Sequence, residues 1–197
     1  RRKTWKLGVA GSTRGRMVPF AALLLMPVAL PLQAVSTASI VACEMAMGDV
    51  IEQQLEHRHC GLSWDRARSM RLGLTGFITT GPLAHMLFQT LERLSPGTSP
   101  AAVLSKVAMN AAFMPAMISA TLGTAWALEG QAPGSIVSQL RHDLVPAVTA
   151  GLAFWPLANI LVYACAPPPM RPAVSSGFGG LWDIYLSACA NHDGARA

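Results

Sequence analysis

Four long stretches without a charged side chain dominate the hydrophobic pattern of this chain. They lie between Arg16 and Glu44, Arg71 and Glu92, Lys106 and Glu129, and Asp143 and Arg171. Each holds about 20 residues or more, which as a helix covers roughly 30 Å, the thickness of a bilayer's hydrocarbon core. The polar stripe of a soluble helix and the alternation of a lipid-facing barrel strand are both missing. The pattern therefore predicts an all-α transmembrane bundle of four helices.

Prolines and turn residues set the expected limits of these helices. The first stretch contains three prolines, so we place its helix late and treat residues 17–27 as an interfacial lead-in. The predicted spans are 28–48, 68–92, 101–128 and 141–166. This gives a basic arm and lead-in at 1–27, a four-span membrane domain at 28–190 and a C-terminal tail at 191–197.

Within the spans, proline and small residues predict how the helices bend and pack. Prolines are tolerated in a membrane helix when neighbouring groups satisfy the freed carbonyls, and they usually leave a kink. We expect kinks at Pro82, Pro115 and Pro156. On the third span, small residues recur every fourth position and predict a close helix-packing seam. That seam consists of Ala108, Ala112, Ala116 and Ala120.

A short amphipathic helix is expected near the C-terminus. The three consecutive prolines at 167–169 end the fourth span, and residues 173–190 then carry both apolar and polar positions. Trp and Tyr favour the headgroup level of a membrane. We therefore predict that Trp182 and Tyr185 anchor this helix at the membrane interface.

Composition supports a membrane location. Apolar residues make up 52% of the chain and charged residues only 13%, against about 25% charged in typical globular domains. Six of the fifteen basic residues fall in the first sixteen positions, without an acid. Such an arm suits anionic lipids or acidic protein partners and resembles a transit peptide or its remnant. Nucleic acid is disfavoured, because no basic stripe interleaved with aromatics follows.

Catalytic and metal-binding patterns are missing from the sequence. The usual nucleophile, phosphate-loop, zinc-protease and dinucleotide motifs do not occur. His57-Arg58-His59-Cys60 has no second ligand cluster at a suitable spacing, and the four cysteines lie far apart. We expect no enzymatic activity, metal or cofactor, with structural lipids as the possible bound groups.

Polar residues in or beside the spans are the better candidates for function, because they are costly in lipid and tend to face the bundle interior. They could line a hydrated path, or they could hydrogen-bond between helices and hold the fold, at about 1 kcal/mol or less per bond. We expect Asp49 to pair with Arg68 or Arg71, so that neutralising Asp49 destabilises the fold. The candidates are Asp49, Gln53, Arg68, Arg71, His85, Asn110 and Asn159.

Three motifs follow one another in the first half of the chain. They are Gly48-Asp49-Val50-Ile51-Glu52-Gln53-Gln54, Asp65-x-x-Arg68-x-x-Arg71 and Gly81-Pro82-x-x-His85. In this order they resemble the Mpv/PMP family of small peroxisomal and mitochondrial inner-membrane proteins. The second half continues the resemblance with Trp155-Pro156 and Trp182-x-x-Tyr185. The resemblance implies a four-span organellar protein without agreed catalytic activity, regarded as a pore or a factor in membrane homeostasis. At positions where the family has Asp-Gln, this chain has Met109-Asn110, so its polar lining is thinner.

Two functions from different classes remain open. We expect a structural or accessory subunit of a larger inner-membrane complex, which contacts lipids and other subunits through its basic arm and helix faces. The alternative is a pore for small solutes. Migration with a large complex on a native gel favours the first, and conductance by the purified protein favours the second. The acid-poor basic terminus favours the mitochondrial inner membrane over peroxisomal or plastid membranes.

Overall fold

The computed structural model describes residues 32–60 and 63–192, and for residues 59, 60, 183 and 185–192 it describes the backbone only. In these ranges all regular structure is helical and there is no strand, so the predicted all-α class is confirmed. The helices are α1 (Leu32–Cys60), α2 (Arg66–Thr75), α3 (Gly81–Leu94), α4 (Pro100–Leu128), α5 (Pro133–Cys165) and α6 (Arg171–His192). A π-helical turn (Gly76–Thr80) joins α2 to α3, and a 3-10 turn (Pro168–Met170) precedes α6.

In the described part of the chain, three helices are long and apolar enough to cross a membrane: Leu32–Arg58 within α1, then α4 and α5. The α2–α3 segment, which we define as Arg66–Leu94, runs without interruption through the π-helical turn. The first helix extends to Cys60, well beyond the predicted limit at residue 48, and α5 begins at Pro133 rather than at residue 141. The charged residues beyond the predicted limits of these two spans therefore belong to the helices themselves.

Local signals explain where the helices begin and turn. Asp65 precedes α2 and accepts hydrogen bonds from two backbone amides of its first turn, at 2.8 and 3.1 Å. Ser99 caps α4 in the same way, at 3.3 Å from the Ala102 nitrogen. Gly97 and Gly130 have φ angles of 85° and 84° in the turns around α4. Only glycine enters that region without strain, so both turns depend on it.

The α2–α3 segment runs antiparallel to α1 at very close range. A Cβ atom on Gly76 would lie 2.9 Å from the Ala42 Cα, and one on Gly81 would lie 2.5 Å from the Ala38 Cα. Glycine on one helix and alanine on the other let the two backbones approach, as in other membrane helix pairs. The sequence analysis missed this seam.

For packing among the described helices, the seam predicted on α4 is wrong. Ala108, Ala112 and Ala116 are exposed on the outer face of the helix, and Ala120 is half-buried. The inward face carries larger residues such as Met114 and Ile118. Here the small residue lies on the neighbouring helix, because a Cβ on Gly151 of α5 would lie 2.5 Å from the Met114 sulfur. The spacing of the alanines identified a face of small residues on α4, but not whether this face points into or out of the bundle.

Two hydroxyl pairs connect the middle of the α2–α3 segment to the last third of α4. Thr79 Oγ1 lies 3.0 Å from Thr124 Oγ1, and Thr80 Oγ1 lies 2.9 Å from Thr121 Oγ1. Thr79 and Thr80 belong to the π-helical turn, which adds a residue to one turn of the helix and changes which side chains face α4. This turn therefore sets the polar contact between the two elements.

A helix is present where the C-terminal helix is predicted, over Arg171–His192 rather than residues 173–190. It spans 22 residues and packs along α1. Trp182 is 7% exposed, and its ring stacks on Phe154 at 5.8 Å and meets Trp155 at 6.2 Å. The prediction that Trp182 is a headgroup anchor is wrong, because burial among aromatic rings provides an apolar site for the indole. The side chain of Tyr185 lies outside the described part of the chain.

The remaining fold predictions stay open. Pro115 and Pro156 lie inside uninterrupted helices, and Pro82 is the second residue of α3. Their kinks remain predictions, as does the domain division at residues 27 and 190. The basic arm and lead-in (residues 1–27), the first four residues of the predicted first span (28–31) and the tail beyond residue 192 lie outside the described residues.

Replacing Gly81 by alanine should destabilise the fold by about 2 kcal/mol, since the new methyl group overlaps backbone atoms of α1 that cannot move freely. Equilibrium unfolding in mild detergent measures this. Gly134→Ala is the matched control, because its Cβ would meet nothing within 4 Å. Equal stability of the two variants would show that the α1 seam is not tightly packed.

Candidate functional site

One arginine holds three carboxylates where α1 and α2 meet, and we call this group the Arg68 cluster. Its guanidinium contacts Asp49 at 2.6 Å, Glu56 at 3.2 Å and Glu52 at close range. Asp49 and Glu52 are each 2% exposed. The predicted pair of Asp49 with Arg68 is therefore confirmed. Arg71 instead lies 3.5 Å from Asp65 and 3.8 Å from Glu129.

Neutral side chains complete the hydrogen bonding of the Arg68 cluster. Gln53 donates to Asp49 Oδ2 at 2.6 Å, and Ser69 donates to the same oxygen at 2.6 Å. Gln53 also accepts from the backbone N–H of Asp65 at 2.6 Å, which ties α1 to the start of α2. The backbone N–H of Arg68 holds the pKa of Asp65 below its usual range. These contacts support the structural interpretation of Asp49, Gln53 and Arg68.

A second ionic group, the Glu92 cluster, lies near the end of α3. Lys106 donates to Glu92 Oε2 at 2.6 Å and to the Gly97 carbonyl at 2.7 Å. Arg171 pairs with the same Glu92 oxygen and donates through Nε to the Ala166 carbonyl at 3.2 Å. The Lys106 and Arg171 side chains are 0% and 3% exposed. One carboxylate thus balances two buried cations.

Sequence reasoning missed the Glu92 cluster, although a signal for it was present. Glu92, Lys106 and Arg171 each border an uncharged stretch, and on that pattern alone they mark only the ends of spans. Antiparallel neighbours bring such bordering charges together at one level. Opposite signs at the ends of successive spans would have indicated the pairing.

Between the helices lies a cavity of about 170 Å³. Every described helix except α2 contributes to its wall, and the π-helical turn contributes Thr80. Most of the wall is apolar. The polar side chains on it are Thr37, Glu44, Thr80, Asn110, Thr121, Asn159, Ser175 and Ser176. Among the described residues of the wall there is no Lys, Arg or His.

The structure divides the predicted polar residues between different places. Asn110 and Asn159 line the cavity, and Asn110 also donates to the Tyr163 hydroxyl at 3.1 Å. His85 lies outside the wall, with Thr37 at 3.5 Å and Gln89 at 2.8 Å. Asp49, Gln53 and Arg68 belong to the Arg68 cluster, and Arg71 lies beside it. Most of the candidate residues therefore belong either to the Arg68 cluster or to the cavity wall. They do not form one continuous polar path through the bundle.

Glu44 is the cavity residue that sequence reasoning treated only as a boundary. It lies near the middle of α1, because the helix continues to Cys60. A methyl group on Gly179 of α6 would overlap the Glu44 carboxylate, so the two helices meet closely here. A carboxylate at this depth is unusual and is a candidate for function. In the described part of the chain, no group of three His, Cys, Asp or Glu residues could hold a metal ion.

Comparison with known proteins finds similarity to one family. The model of the Mpv17 / PMP22 family matches residues 127–187. The mitochondrial inner membrane protein Mpv17 of Danio rerio is 29% identical over 160 residues, 81% of this chain and 88% of the relative. The Homo sapiens protein of the same name is 27% identical over 144 residues, 73% of this chain and 82% of the relative.

A peroxisomal relative shows similar coverage. Peroxisomal membrane protein 2 of Bos taurus is 23% identical over 143 residues, 72% of this chain and 73% of the relative. No solved structure matches the chain. The family model, the full-length relatives and the apolar helices agree with the motifs found in the sequence. These similarities therefore support the resemblance of this chain to the membrane proteins of the Mpv17/PMP22 family.

Proposed function

We propose that this protein crosses an organellar membrane four times and that its central cavity is the middle of a passage for small solutes. The observation that carries the proposal is the cavity itself, which five helices and the π-helical turn surround. Eight polar side chains on an otherwise apolar wall give a solute hydrogen-bonding partners inside the bundle. The proposal assigns no catalytic reaction to the chain.

The ionic clusters support the α2–α3 segment as the fourth span. Arg68 and Glu92 lie near opposite ends of this continuous helical segment. Their separation of 24 positions (92 minus 68) corresponds to roughly 36 Å along a helix. A hydrocarbon core of about 30 Å fits between them, with each cluster near the headgroups of one leaflet. The cavity then lies at mid-depth.

The proposed location follows the relatives. Several are named as mitochondrial inner membrane proteins and one as a peroxisomal membrane protein. The Arg-rich, acid-poor N-terminus favours the mitochondrial inner membrane for this chain. Microscopy of a C-terminally tagged protein tests this, and a purely peroxisomal signal would contradict it.

Filling the cavity should reduce solute passage. We expect the purified protein in liposomes to release small solutes, and Ala84→Phe to lower the release rate several-fold, because Ala84 lines the cavity. Ala153→Phe is the control, since Ala153 is exposed on α5. Planar-bilayer recording provides an independent readout. Release that is equal in both variants, or absent from the unmodified protein, would contradict the proposal.

A second candidate function is a subunit of a larger membrane assembly. The outward small-residue face of α4 (Ala108, Ala112 and Ala116) favours it, because such faces pack against other membrane helices. The basic arm would add contacts with partners or anionic lipids. Migration with a large complex on a native gel would support this function, and migration as a small oligomer in gentle detergent would argue against it.

A further inference from the structure

Asn159 is a buried amide on the cavity wall, and we propose that it binds the hydroxyl group of a small neutral ring-shaped molecule inside the cavity. The residue is 2% exposed and lies on a wall that is mostly apolar. Among the residues that the structure describes, none forms a hydrogen bond with its side chain. The site rests on the proposed function only in that it names the solute class, because binding can be measured without transport.

The Asn159 amide differs from its polar neighbours on the wall. Asn110 donates to the Tyr163 hydroxyl at 3.1 Å, and Thr80 and Thr121 pair at 2.9 Å. Most buried amides in proteins are hydrogen-bonded. A buried amide without a partner is unfavourable, because it has lost its bonds to water. The Asn159 amide is therefore open to a hydrogen bond from a ligand in the cavity.

The chemistry of an amide matches a hydroxyl group. The side-chain NH₂ group donates and the carbonyl oxygen accepts, and one hydroxyl group can do both. An ionised ligand would lose its hydration against a mostly apolar wall, which costs far more than one neutral hydrogen bond contributes. Glu44 also lies on the wall, where it has an interaction within the chain, and the hydroxyl pairing does not depend on its charge.

Aromatic side chains surround the amide on two helices. Trp155 and Tyr163 lie one helical turn before and after Asn159, so the three residues share one face of α5. Trp155 lies on the cavity wall, and so does Phe88 of α3, whose ring is 6.0 Å from the Tyr163 ring. The ligand therefore needs an apolar body beside its hydroxyl group.

Size limits the ligand further. The cavity measures about 170 Å³, and an engineered apolar cavity of about 150 Å³ in another protein accommodates benzene. One six-membered ring with a hydroxyl group fits, whereas a nucleotide does not. Hydrogen bonding, wall chemistry and volume therefore agree on a small neutral ring alcohol, for which cyclohexanol is the probe.

Binding can be followed by tryptophan fluorescence of the purified full chain in detergent, since Trp155 lies on the wall. We expect cyclohexanol to produce a saturable change in the unmodified protein, and folded Ala84→Phe, which fills the cavity, to lose it. Ala153→Phe, at an exposed position on α5, should retain it. A change that persists in Ala84→Phe, or no saturable change in the unmodified protein, would overturn the proposal.

Asn159→Leu tests the hydroxyl pairing, because leucine has a similar size and no hydrogen-bonding group. We expect cyclohexanol to bind this variant about tenfold more weakly. Methylcyclohexane, which has a methyl group in place of the hydroxyl, should bind it no more weakly than it binds the unmodified protein. Both proteins are measured in the same detergent, so partitioning of the ligands into micelles affects them equally. An equal loss of affinity for the two ligands would show that Asn159 does not recognise the hydroxyl group.

Thermal stability without a ligand gives a second readout. Asn159→Leu should leave the melting temperature in detergent unchanged or higher, because it removes an amide that has no partner among the described residues. Asn110→Leu is the matched substitution. It should lower the melting temperature by about 3 °C, because it removes the hydrogen bond to Tyr163. An equal loss in Asn159→Leu, or failure of that variant to fold, would show that the amide has a partner within the fold and would overturn the proposal.

The outcomes separate the ring-alcohol site from the proposed passage. Solute release from liposomes without saturable cyclohexanol binding would overturn the site and retain the passage. Saturable binding that depends on Asn159, without any solute release, would retain the site and contradict the passage.

Discussion

Replacing Arg68 by methionine is expected to destabilise the fold by about 4 kcal/mol, the largest effect of any single change considered for this chain. The substitution leaves Asp49 and Glu52 buried at 2% exposure without their guanidinium partner. An uncompensated buried charge is more unfavourable than the pair was favourable, so the loss exceeds that of a surface ion pair. Equilibrium unfolding of the purified protein in mild detergent measures it.

Two further variants define the cause. Arg66→Met is the control, because Arg66 is exposed and lies 5.4 Å above the Trp64 ring without joining the Arg68 cluster. It should change stability little. Arg68→Lys should give an intermediate loss, since one ammonium group cannot contact three carboxylates at once. If Arg68→Met were as stable as Arg66→Met, the cluster would not hold α1 to α2.

Replacing Glu92 by glutamine is expected to destabilise the fold by about 3 kcal/mol. The change leaves Lys106 and Arg171, with side chains 0% and 3% exposed, without a counter-charge. Because Glu92 itself is 31% exposed, water partly compensates, and the effect is smaller than for Arg68. The same unfolding measurement in detergent applies.

A rescue experiment identifies the mechanism. Adding Lys106→Met to Glu92→Gln should recover part of the lost stability, because it removes one of the two unpaired cations. Glu129→Gln is the control, since Glu129 is 41% exposed and lies 3.8 Å from Arg71. It should change stability little. A double variant less stable than Glu92→Gln alone would show that Lys106 contributes packing rather than a charge in need of a partner.

The uncharged stretches predicted the helical class because the environment that each stretch needs depends only on its own residues. A run of about 20 apolar residues needs lipid or other helices around it, whatever its neighbours are. Long-range pairing is less visible in the sequence. Asp49 was predicted to pair with Arg68 or Arg71 because these residues lie at the two ends of the first predicted loop, at the same edge of the membrane. Glu92 and Arg171 lie far apart along the chain, and their contact depends on the arrangement of α3, α5 and α6.

The direction of each helix face was the weakest part of the sequence prediction. An apolar helix in lipid is hydrophobic all round, so its pattern does not show which side faces inward. This is why the α4 seam was placed inside and Trp182 at the interface. The position of Glu44 was misjudged for a related reason. A charge was taken to end the first span, whereas a carboxylate that faces a cavity can lie in the middle of a helix.

The threonine pairs beside the π-helical turn differ in strength from the ionic clusters on either side of them. Each hydroxyl contact contributes about 1 kcal/mol or less and can be exchanged for a contact with water or a solute. The guanidinium and carboxylate contacts at the two rims have no such substitute inside the bundle. Any widening that a passing solute requires is therefore expected at the threonine contacts, while the two ionic clusters keep their helices together.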